Sequence, residues 1–280
     1  MQPKVLISDF DNTLYDWFAM WHASFTAMMD EIERIGGLPR ETLYPEIRAI
    51  HQRHGTSEYA FLIEAMPSLR KKFPGQDLTA VFDPAIHAYR KARKATLRLY
   101  PGVRDTLNAL LAKGVAVALY TDSLWFYTSS RIRALELDEF IDDIYSPPDH
   151  ELPGAPGEVR RHPSGYYALK HARHRCLPEG LAKPQPELLL NIARELGFDR
   201  SECLYVGDSL MKDVAMAKEC GIVDVWAEYG ASAKPEEYEL LKRVSHWPDA
   251  DVRREEKTKP ETVLPTHAIA QFGDLLEFFA

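Results

Sequence analysis

The chain has 280 residues, of which 45% are hydrophobic and 27% are charged. This balance is ordinary for a folded globular protein and excludes a disordered, fibrous or membrane-embedded chain. The formal net charge of −8 argues against a broad surface for nucleic-acid backbone, so we expect no nucleic-acid partner.

The first predicted element is a short buried strand at Val5-Leu6-Ile7, which ends in a polar loop from Ser8 to Asn12. Beyond it, apolar residues recur at steps of three and four from Trp17 onwards, with no convincing strand before residue 98. We therefore predict that residues 16–97 form an all-helical insertion, a candidate lid. Residues 1–15 and 98–280 would form the core.

A regular alternation of helices and strands begins after Pro101-Gly102. The predicted helices are 103–113, 124–135 and 186–196, and the predicted strands are 115–120, 141–145, 203–206 and 222–226. Repeated units of this kind predict an α/β fold with a parallel sheet and helices on both of its faces.

Residues 146–181 interrupt the alternation with many prolines, glycines and basic residues, which predicts a long, partly irregular insertion in the core. Within it, His171 to Cys176 and the upstream His162 offer zinc-binding atoms, but their spacing favours a solvated basic helix. Nearer the C-terminus, residues 251–259 are predicted to form a solvated loop and residues 274–279 a closing helix.

Two carboxylates follow the first strand, at Asp9 and Asp11. One could attack phosphorus while the other protonates the leaving oxygen and later activates water. Two negative charges this close also call for a divalent cation, and Mg²⁺ prefers such oxygen ligands. Taken alone, the pair could equally be a helix cap or a turn.

Three further polar sites follow later elements. Thr121-Asp122-Ser123 ends a predicted strand and offers a hydroxyl and backbone N–H groups to phosphate oxygens, although helix capping alone would explain it. Lys183 precedes Pro184, which disfavours a helical backbone at Lys183; its ammonium could neutralise phosphate or lie on the surface. Asp208 and Asp213 suit a metal ligand and the residue that orients it.

These four elements, each predicted at a strand end and in this order, resemble the four motifs of the haloacid dehalogenase (HAD) superfamily. The resemblance covers most of residues 4–230 and implies a Rossmann-like core with Mg²⁺ as cofactor. It also implies that the helical insertion is a C1-type cap, whose closure would exclude water. The implied catalytic residues are Asp9 as nucleophile, Asp11 as general acid/base, and Thr121 and Lys183, which bind the phosphate. Asp122 is expected to join Thr121 and Lys183 in substrate binding. The metal ligands would be Asp9, Asp11 (through its backbone carbonyl) and Asp208, with Asp213 supporting the metal site.

Within this superfamily, the resemblance distinguishes phosphoryl chemistry from carbon–halogen cleavage, because dehalogenases lack the second aspartate, which here is Asp11. We therefore expect a phosphatase for a small phosphorylated metabolite, such as a nucleotide or a sugar phosphate. Sugar phosphomutase, 2-haloacid dehalogenase and a non-enzymatic phosphate-sensing module remain alternatives. Asn12 stands where the family more commonly has glycine.

Three aromatic residues after the first motif, Tyr15, Trp17 and Trp21, could stack on a substrate base or sugar, but their helical spacing favours core packing.

The cysteines Cys176, Cys203 and Cys220 show no C-x-x-C spacing, so we predict free thiols, as is usual in a reducing compartment. The N-terminus has no signal-peptide pattern, and no run of about 18 apolar residues occurs. We expect a cytoplasmic protein without a membrane partner, as a monomer or a homodimer.

Overall fold

A parallel β-sheet organises the chain in the computed structural model, which describes residues 2–149, 152, 154, 162, 164–178, 180–231 and 234–280. Within these residues the sheet has seven strands, in the spatial order β4-β3-β2-β1-β5-β6-β7, and every neighbouring pair is parallel. The strands are β1 (Val5–Ser8), β2 (Ala116–Tyr120), β3 (Asp143–Ser146), β4 (Arg173–Cys176), β5 (Cys203–Gly207), β6 (Val223–Ala227) and β7 (His267–Ile269).

The helices in the described residues accompany this sheet or form a separate cluster. In chain order they are α1 (Trp17–Gly36), α2 (Arg40–His54), α3 (Leu62–Ala65), α4 (Pro67–Lys72), α5 (Leu78–Val81), α6 (Asp83–Thr96), α7 (Val103–Ala112), α8 (Trp125–Ala134), α9 (Pro186–Glu195), α10 (Ala215–Cys220), α11 (Pro235–Val244) and α12 (Asp249–Lys257). A π-helical turn at Leu210–Val214 leads into α10.

The central strand β1 is buried along its whole length, because both faces of the sheet are covered. Val5 and Ile7 share a core with residues of α9 and α10, whereas Leu6, on the opposite face, is also fully buried. From β1 the chain builds the sheet outwards through β2, β3 and β4, and then returns to place β5 on the other side of β1. This is the predicted α/β class with a Rossmann-like core.

The chain divides into two compact units. The first contains Met1–Asp16, Arg98–Ser232 and Glu255–Ala280, and the second contains Trp17–Leu97 and Ala233–Arg254. The sequence had assigned residues 98–280 to one core. The structure instead joins the segment 233–254 to the helical unit.

Polar contacts explain why this segment belongs with the helices. His51 of α2 donates from Nδ1 to the backbone oxygen of Val244, 2.6 Å away, and Ser57 Oγ lies 2.9 Å from His246 Nδ1. These partners are separated by about 190 residues of sequence, so no local pattern could reveal them.

The aromatic residues after the first motif are buried, as the prediction of core packing requires: Tyr15, Trp17 and Trp21 are each at most 9% exposed. On α1, the rings of Trp21 and Phe25 stack with centroids 5.2 Å apart.

The prediction of a basic helix at His171 to Cys176 was wrong, because residues 173–176 form β4. Strand pairing with β3 places Arg173 and Arg175 on one face, and both guanidinium groups contact the buried carboxylate of Asp143. The imidazole of His174 packs against Trp125, with ring centroids 3.8 Å apart, and hydrogen-bonds Ser146 Oγ.

Two predictions near the C-terminus also differ from the structure. The expected loop at 251–259 is largely helical in α12, where Val252 provides a buried anchor. The closing helix is a 3₁₀-helix, Phe272–Phe279, which begins two residues earlier than predicted.

Part of the predicted insertion at 146–181 lies outside the described residues, including most of the proline- and glycine-rich stretch from 150 to 161. Where the chain is described, all three cysteines are free thiols. In the same residues no helix combines the length and the apolar character needed to cross a bilayer.

The buried imidazole of His51 should make the stability of the protein depend on pH. Burial lowers the pKa of His51 from 6.5 to about 4, so between these values the unfolded chain binds a proton that the folded chain does not. Stability should therefore fall by up to about 3 kcal/mol as the pH drops from 6.5 to 4.

Urea unfolding of the His51→Gln variant across this pH range measures the effect. Glutamine can still donate to Val244 but does not titrate, so the variant should lose this part of the slope, whereas His171→Gln, at an exposed position, should keep it. Equal slopes for His51→Gln and the wild type would contradict the assignment.

Candidate active site

The carboxyl ends of β1, β2 and β5 lie side by side where the strand order reverses, the usual ligand-binding position of open α/β sheets. Ser8, the last residue of β1, pairs with Leu119 of β2 and with Val206 of β5. Asp9 follows at once, and its N–H donates to the backbone oxygen of Val206 at 2.8 Å. The Asp9 side chain is thereby fixed at the centre of the sheet edge, and the residue is 5% exposed.

The ammonium group of Lys183 joins two of the predicted acids. Its Nζ lies 2.5 Å from Asp9 Oδ1 and 2.7 Å from Asp213 Oδ1. It also donates to the hydroxyl of Tyr205 at 3.2 Å, and that hydroxyl donates to Asp213 Oδ1 at 2.8 Å. The backbone N–H of Lys183 is held by Asp122 Oδ1 at 2.9 Å. Lys183 is therefore positioned from both its backbone and its side chain.

Three carboxylates converge around this lysine. One oxygen atom from each of Asp9, Asp208 and Asp213 lies within 4.8 Å of the others. Both oxygens of Asp213 are already engaged, because Oδ1 accepts from Lys183 and Tyr205 and Oδ2 accepts from the N–H of Ser209 at 3.1 Å. Asp213 thus accepts three hydrogen bonds, whereas Asp9 accepts one on each oxygen, from Lys183 and from Thr13. Asp9 therefore keeps more acceptor capacity for an added cation than Asp213 does.

The glycine that ends β5 makes the approach of Asp213 possible. A Cβ atom on Gly207 would lie 2.3 Å from Asp213 Cγ, far inside van der Waals contact. Glycine at this position therefore allows the carboxylate to fold back over the strand end.

The burial of so many charges shifts their pKa values. Burial raises the pKa of Asp9 to about 7, against the opposing effect of Lys183. Burial also raises the pKa of Asp208 well above its usual range, and Asp9 and Asp213 add to the shift. For Lys183, burial lowers the pKa, but Asp213 and Asp9 outweigh it and raise the pKa well above its usual value. Three carboxylates thus face this buried ammonium group, and a bound cation would relieve their repulsion.

The carboxylate of Asp11 lies outside this three-carboxylate group. It accepts a hydrogen bond from the hydroxyl of Tyr15, and its Oδ1 is 3.5 Å from Nη1 of Arg131. Arg131 is a buried residue of α8 that also donates to Ser123 Oγ at 3.1 Å. The structure therefore places the carboxylate of Asp11 in a separate set of contacts, although Asp11 is only two residues from Asp9 in the sequence.

The loop after β2 carries the predicted phosphate-binding residues. Thr121 is buried, and its Oγ1 accepts from the N–H of Ser123 at 3.0 Å, which leaves the hydroxyl hydrogen available for donation. Asp122 contacts Lys183 as described, and its Oδ2 is 3.5 Å from Nζ of Lys212. These contacts favour a positioning role for Asp122, whereas its predicted role in substrate binding stays a prediction.

The unusual Asn12 has a conformational explanation. Its φ is +57°, in the left-handed region that asparagine adopts more readily than most residues other than glycine. The next residue, Thr13, donates from Oγ1 to Asp9 Oδ2 at 3.2 Å. The turn at Asn12 therefore helps to orient the carboxylate of Asp9.

The sequence missed two residues of this site, Tyr205 and Arg131. Tyr205 lies in a predicted strand, but many residues of β5 are buried and strand periodicity does not show which one reaches the sheet edge. Arg131 is one charged residue in a predicted helix, and nothing in its sequence context shows that its Cζ lies 5.6 and 5.5 Å from the ring centroids of Tyr15 and Tyr127.

Removing the hydroxyl of Tyr205 should destabilise the protein, because Asp213 and Lys183 would each lose a buried partner. Tyr205→Phe should lower the free energy of unfolding by about 1 to 3 kcal/mol, as expected for hydrogen bonds to charged groups. Urea unfolding measures this, with Tyr166→Phe as the control because Tyr166 is 44% exposed. Equal stability of the two variants would contradict the role assigned to Tyr205.

Two curated proteins with related sequences are phosphatases. The chain is 25% identical over 229 residues to a glyceraldehyde 3-phosphate phosphatase of Pyrococcus abyssi (strain GE5 / Orsay), an alignment that covers 81% of this chain and 82% of that protein. It is 27% identical over 241 residues to a phosphoglycolate phosphatase of Nitrosospira multiformis (strain ATCC 25196 / NCIMB 11849 / C 71), with 85% and 88% covered.

Solved structures share the fold. A 2-haloacid dehalogenase from Pseudomonas syringae pv. Tomato DC3000 superposes with a TM-score of 0.54 at 17% identity, covering 99% of this chain and 98% of that one. A HAD-hydrolase from Bacillus subtilis, solved bound to magnesium and described as showing interdomain movement, superposes with a TM-score of 0.53 at 17% identity and the same coverage. At this identity the likeness establishes the architecture alone.

A family model that matches most of the chain shows the family. The model of the haloacid dehalogenase-like hydrolases matches residues 3–221, a range that includes every predicted motif from Asp9 to Asp213. The chain therefore belongs to the haloacid dehalogenase-like hydrolase family.

Proposed function

We propose that this protein is a Mg²⁺-dependent phosphatase that hydrolyses a small phosphomonoester through an aspartyl-phosphate on Asp9. The proposal rests on one observation: a carboxylate oxygen from each of Asp9, Asp208 and Asp213 lies within 4.8 Å of the other two. Nζ of Lys183 lies 2.5 Å from Oδ1 of Asp9. Family membership and the phosphatase relatives support the same activity.

The residues at the site fit a hard divalent cation. Their donor atoms are oxygens, the ligand type that Mg²⁺ prefers, and Mg²⁺ usually binds one or two protein carboxylates together with water and phosphate. Asp9 and Asp208 would supply these carboxylates, and the resemblance adds the backbone carbonyl of Asp11. When bound, Mg²⁺ would neutralise charge on the phosphoryl group and the nucleophile.

In the first half of the reaction, a carboxylate oxygen of Asp9 attacks phosphorus, and the bond between phosphorus and the ester oxygen breaks. The leaving oxygen takes a proton from Asp11 and departs as an alcohol. Lys183 holds Asp9 in place, and Thr121 and Lys183 donate hydrogen bonds to the phosphoryl oxygens. Tyr15 and Arg131 hold the carboxyl group of Asp11 away from the acids around Lys183.

In the second half, Asp11 removes a proton from a water molecule, whose oxygen attacks the phosphorus of the aspartyl-phosphate. The bond between phosphorus and the Asp9 oxygen breaks, which regenerates Asp9 and releases inorganic phosphate. If a sugar hydroxyl took the place of water, the same residues would act as a phosphomutase, so phosphate release distinguishes the two outcomes. The presence of Asp11 favours both over dehalogenation.

The substrate is proposed as a small phosphorylated metabolite. The relatives make glyceraldehyde 3-phosphate and phosphoglycolate the first compounds to assay, followed by sugar phosphates and nucleotides. We further propose that the helical unit acts as the family's C1-type cap, which excludes water during phosphoryl transfer. The free thiols are consistent with a cytoplasmic location.

Replacing Asp9 by Asn should remove the nucleophile without changing the size of the side chain. Phosphate release should fall at least about a thousandfold, whereas Asp105→Asn, at an exposed position of α7, should leave it unchanged. After an acid quench with labelled substrate, wild-type protein should carry label and Asp9→Asn should carry none. Label on Asp9→Asn, or substantial phosphate release by it, would rule out this mechanism.

Removal of Mg²⁺ should reduce both activity and stability, since the acids at 9 and 208 would then repel each other. Adding Mg²⁺ to metal-free protein should raise the thermal midpoint, because a ligand that binds the folded state stabilises it. The increase should be largely lost in Asp208→Asn and retained in Asp105→Asn. A thermal midpoint of the wild type that does not respond to Mg²⁺ would contradict the proposed metal site.

A further inference from the structure

The chain beyond the fourth motif returns to the site through the end of β6 and the 3₁₀-helix Glu228–Ala231. Three residues of this segment contact loops that carry the proposed catalytic acids, although none belongs to the four motifs. They are Trp226, Tyr229 and Gly230.

Trp226 contacts the loop after β5. Its indole Nε1 donates to the backbone oxygen of Asp208 at 2.8 Å. This bond fixes the main chain of the residue that is proposed to bind the cation from the β5 side.

Tyr229 contacts the loop after β1. Its hydroxyl donates to the backbone oxygen of Thr13 at 2.7 Å, and its ring meets the ring of Tyr100 edge to face, with centroids 4.8 Å apart. The backbone N–H of Tyr100 in turn donates to the backbone oxygen of Leu14 at 3.0 Å. The loop that begins with Asp9 is therefore held from the same segment.

Gly230 lies against both loops. A Cβ atom at this position would be 1.9 Å from the backbone oxygen of Asn12 and 2.8 Å from Cβ of Asp208. Since the first clash is with backbone, rotation of a side chain cannot relieve it. Any larger residue would have to push the β1 loop and Asp208 away from the segment or from each other.

We propose that Trp226, Tyr229 and Gly230 form a brace that sets the separation of Asp9 from Asp208 and so tunes the affinity of the site for its divalent cation. These are positioning residues, and the inference rests on the proposed Mg²⁺ site. Contacts of this kind, one step removed from the ligands, commonly change metal affinity about 10- to 100-fold when they are lost.

The test is Mg²⁺ binding to metal-free protein by calorimetry, without substrate, for Gly230→Ala and the matched control Gly165→Ala, whose added Cβ would meet nothing within 4 Å. Gly230→Ala should weaken Mg²⁺ binding at least about tenfold, and Gly165→Ala should match the wild type. The Mg²⁺ concentration that half-saturates activity should rise by the same factor in Gly230→Ala, and excess Mg²⁺ should restore most of kcat.

If Gly230→Ala does not fold, Trp226→Phe and Tyr229→Phe carry the test, because each removes one hydrogen bond while keeping an aromatic ring. Both should weaken Mg²⁺ binding by a smaller factor, whereas Tyr166→Phe should not. Wild-type affinity in the folded brace variants would overturn the brace and leave the phosphatase proposal intact. A wild-type protein that binds no Mg²⁺ would instead overturn the metal site itself.

Discussion

The crowding of buried negative charge at one edge of the sheet is the constraint on which the site depends. Asp9, Asp208 and Asp213 each offer an oxygen atom to the same small volume, and Lys183 contacts two of them directly. Burial penalises ionised carboxylates strongly unless charge partners compensate. An arrangement that costs this much stability is readily explained when the acids serve a cation and a phosphoryl group.

The fold concentrates these groups because strands from distant parts of the chain end at the same edge. Asp9 follows β1 and Asp208 follows β5, and the two strands are hydrogen-bonded neighbours although about 200 residues separate them. Small residues then allow backbone and carboxylates to approach each other: Gly207 makes room for Asp213, and Gly230 makes room for Asn12 and Asp208. The site therefore depends on glycine at these two positions as much as on the acids themselves.

Much of this arrangement could be predicted from the sequence, since strand ends are readable from apolar runs that stop at polar residues. Asp9 and Asp208 were predicted in this way, and Lys183 and Asp213 were predicted from their places in the resemblance to the four motifs. The structure brings the four side chains together. Contacts between distant segments were not predictable: Tyr205 looks like any buried strand residue, and Arg131 like an ordinary helical arginine. The segment 233–254 carries no local signal that it packs with the helical unit, and β4 was hidden by its charged side chains, which Asp143 compensates.

The most direct test of the central claim is a crystal structure of the protein soaked with Mn²⁺, which replaces Mg²⁺ and can be located by anomalous scattering. The structure predicts a peak at the edge of the sheet, about 2.0 to 2.3 Å from carboxylate oxygens of both Asp9 and Asp208, with Asp213 still bound to Lys183. A peak elsewhere, or none at saturating Mn²⁺, would contradict the claim that these buried acids form a cation site.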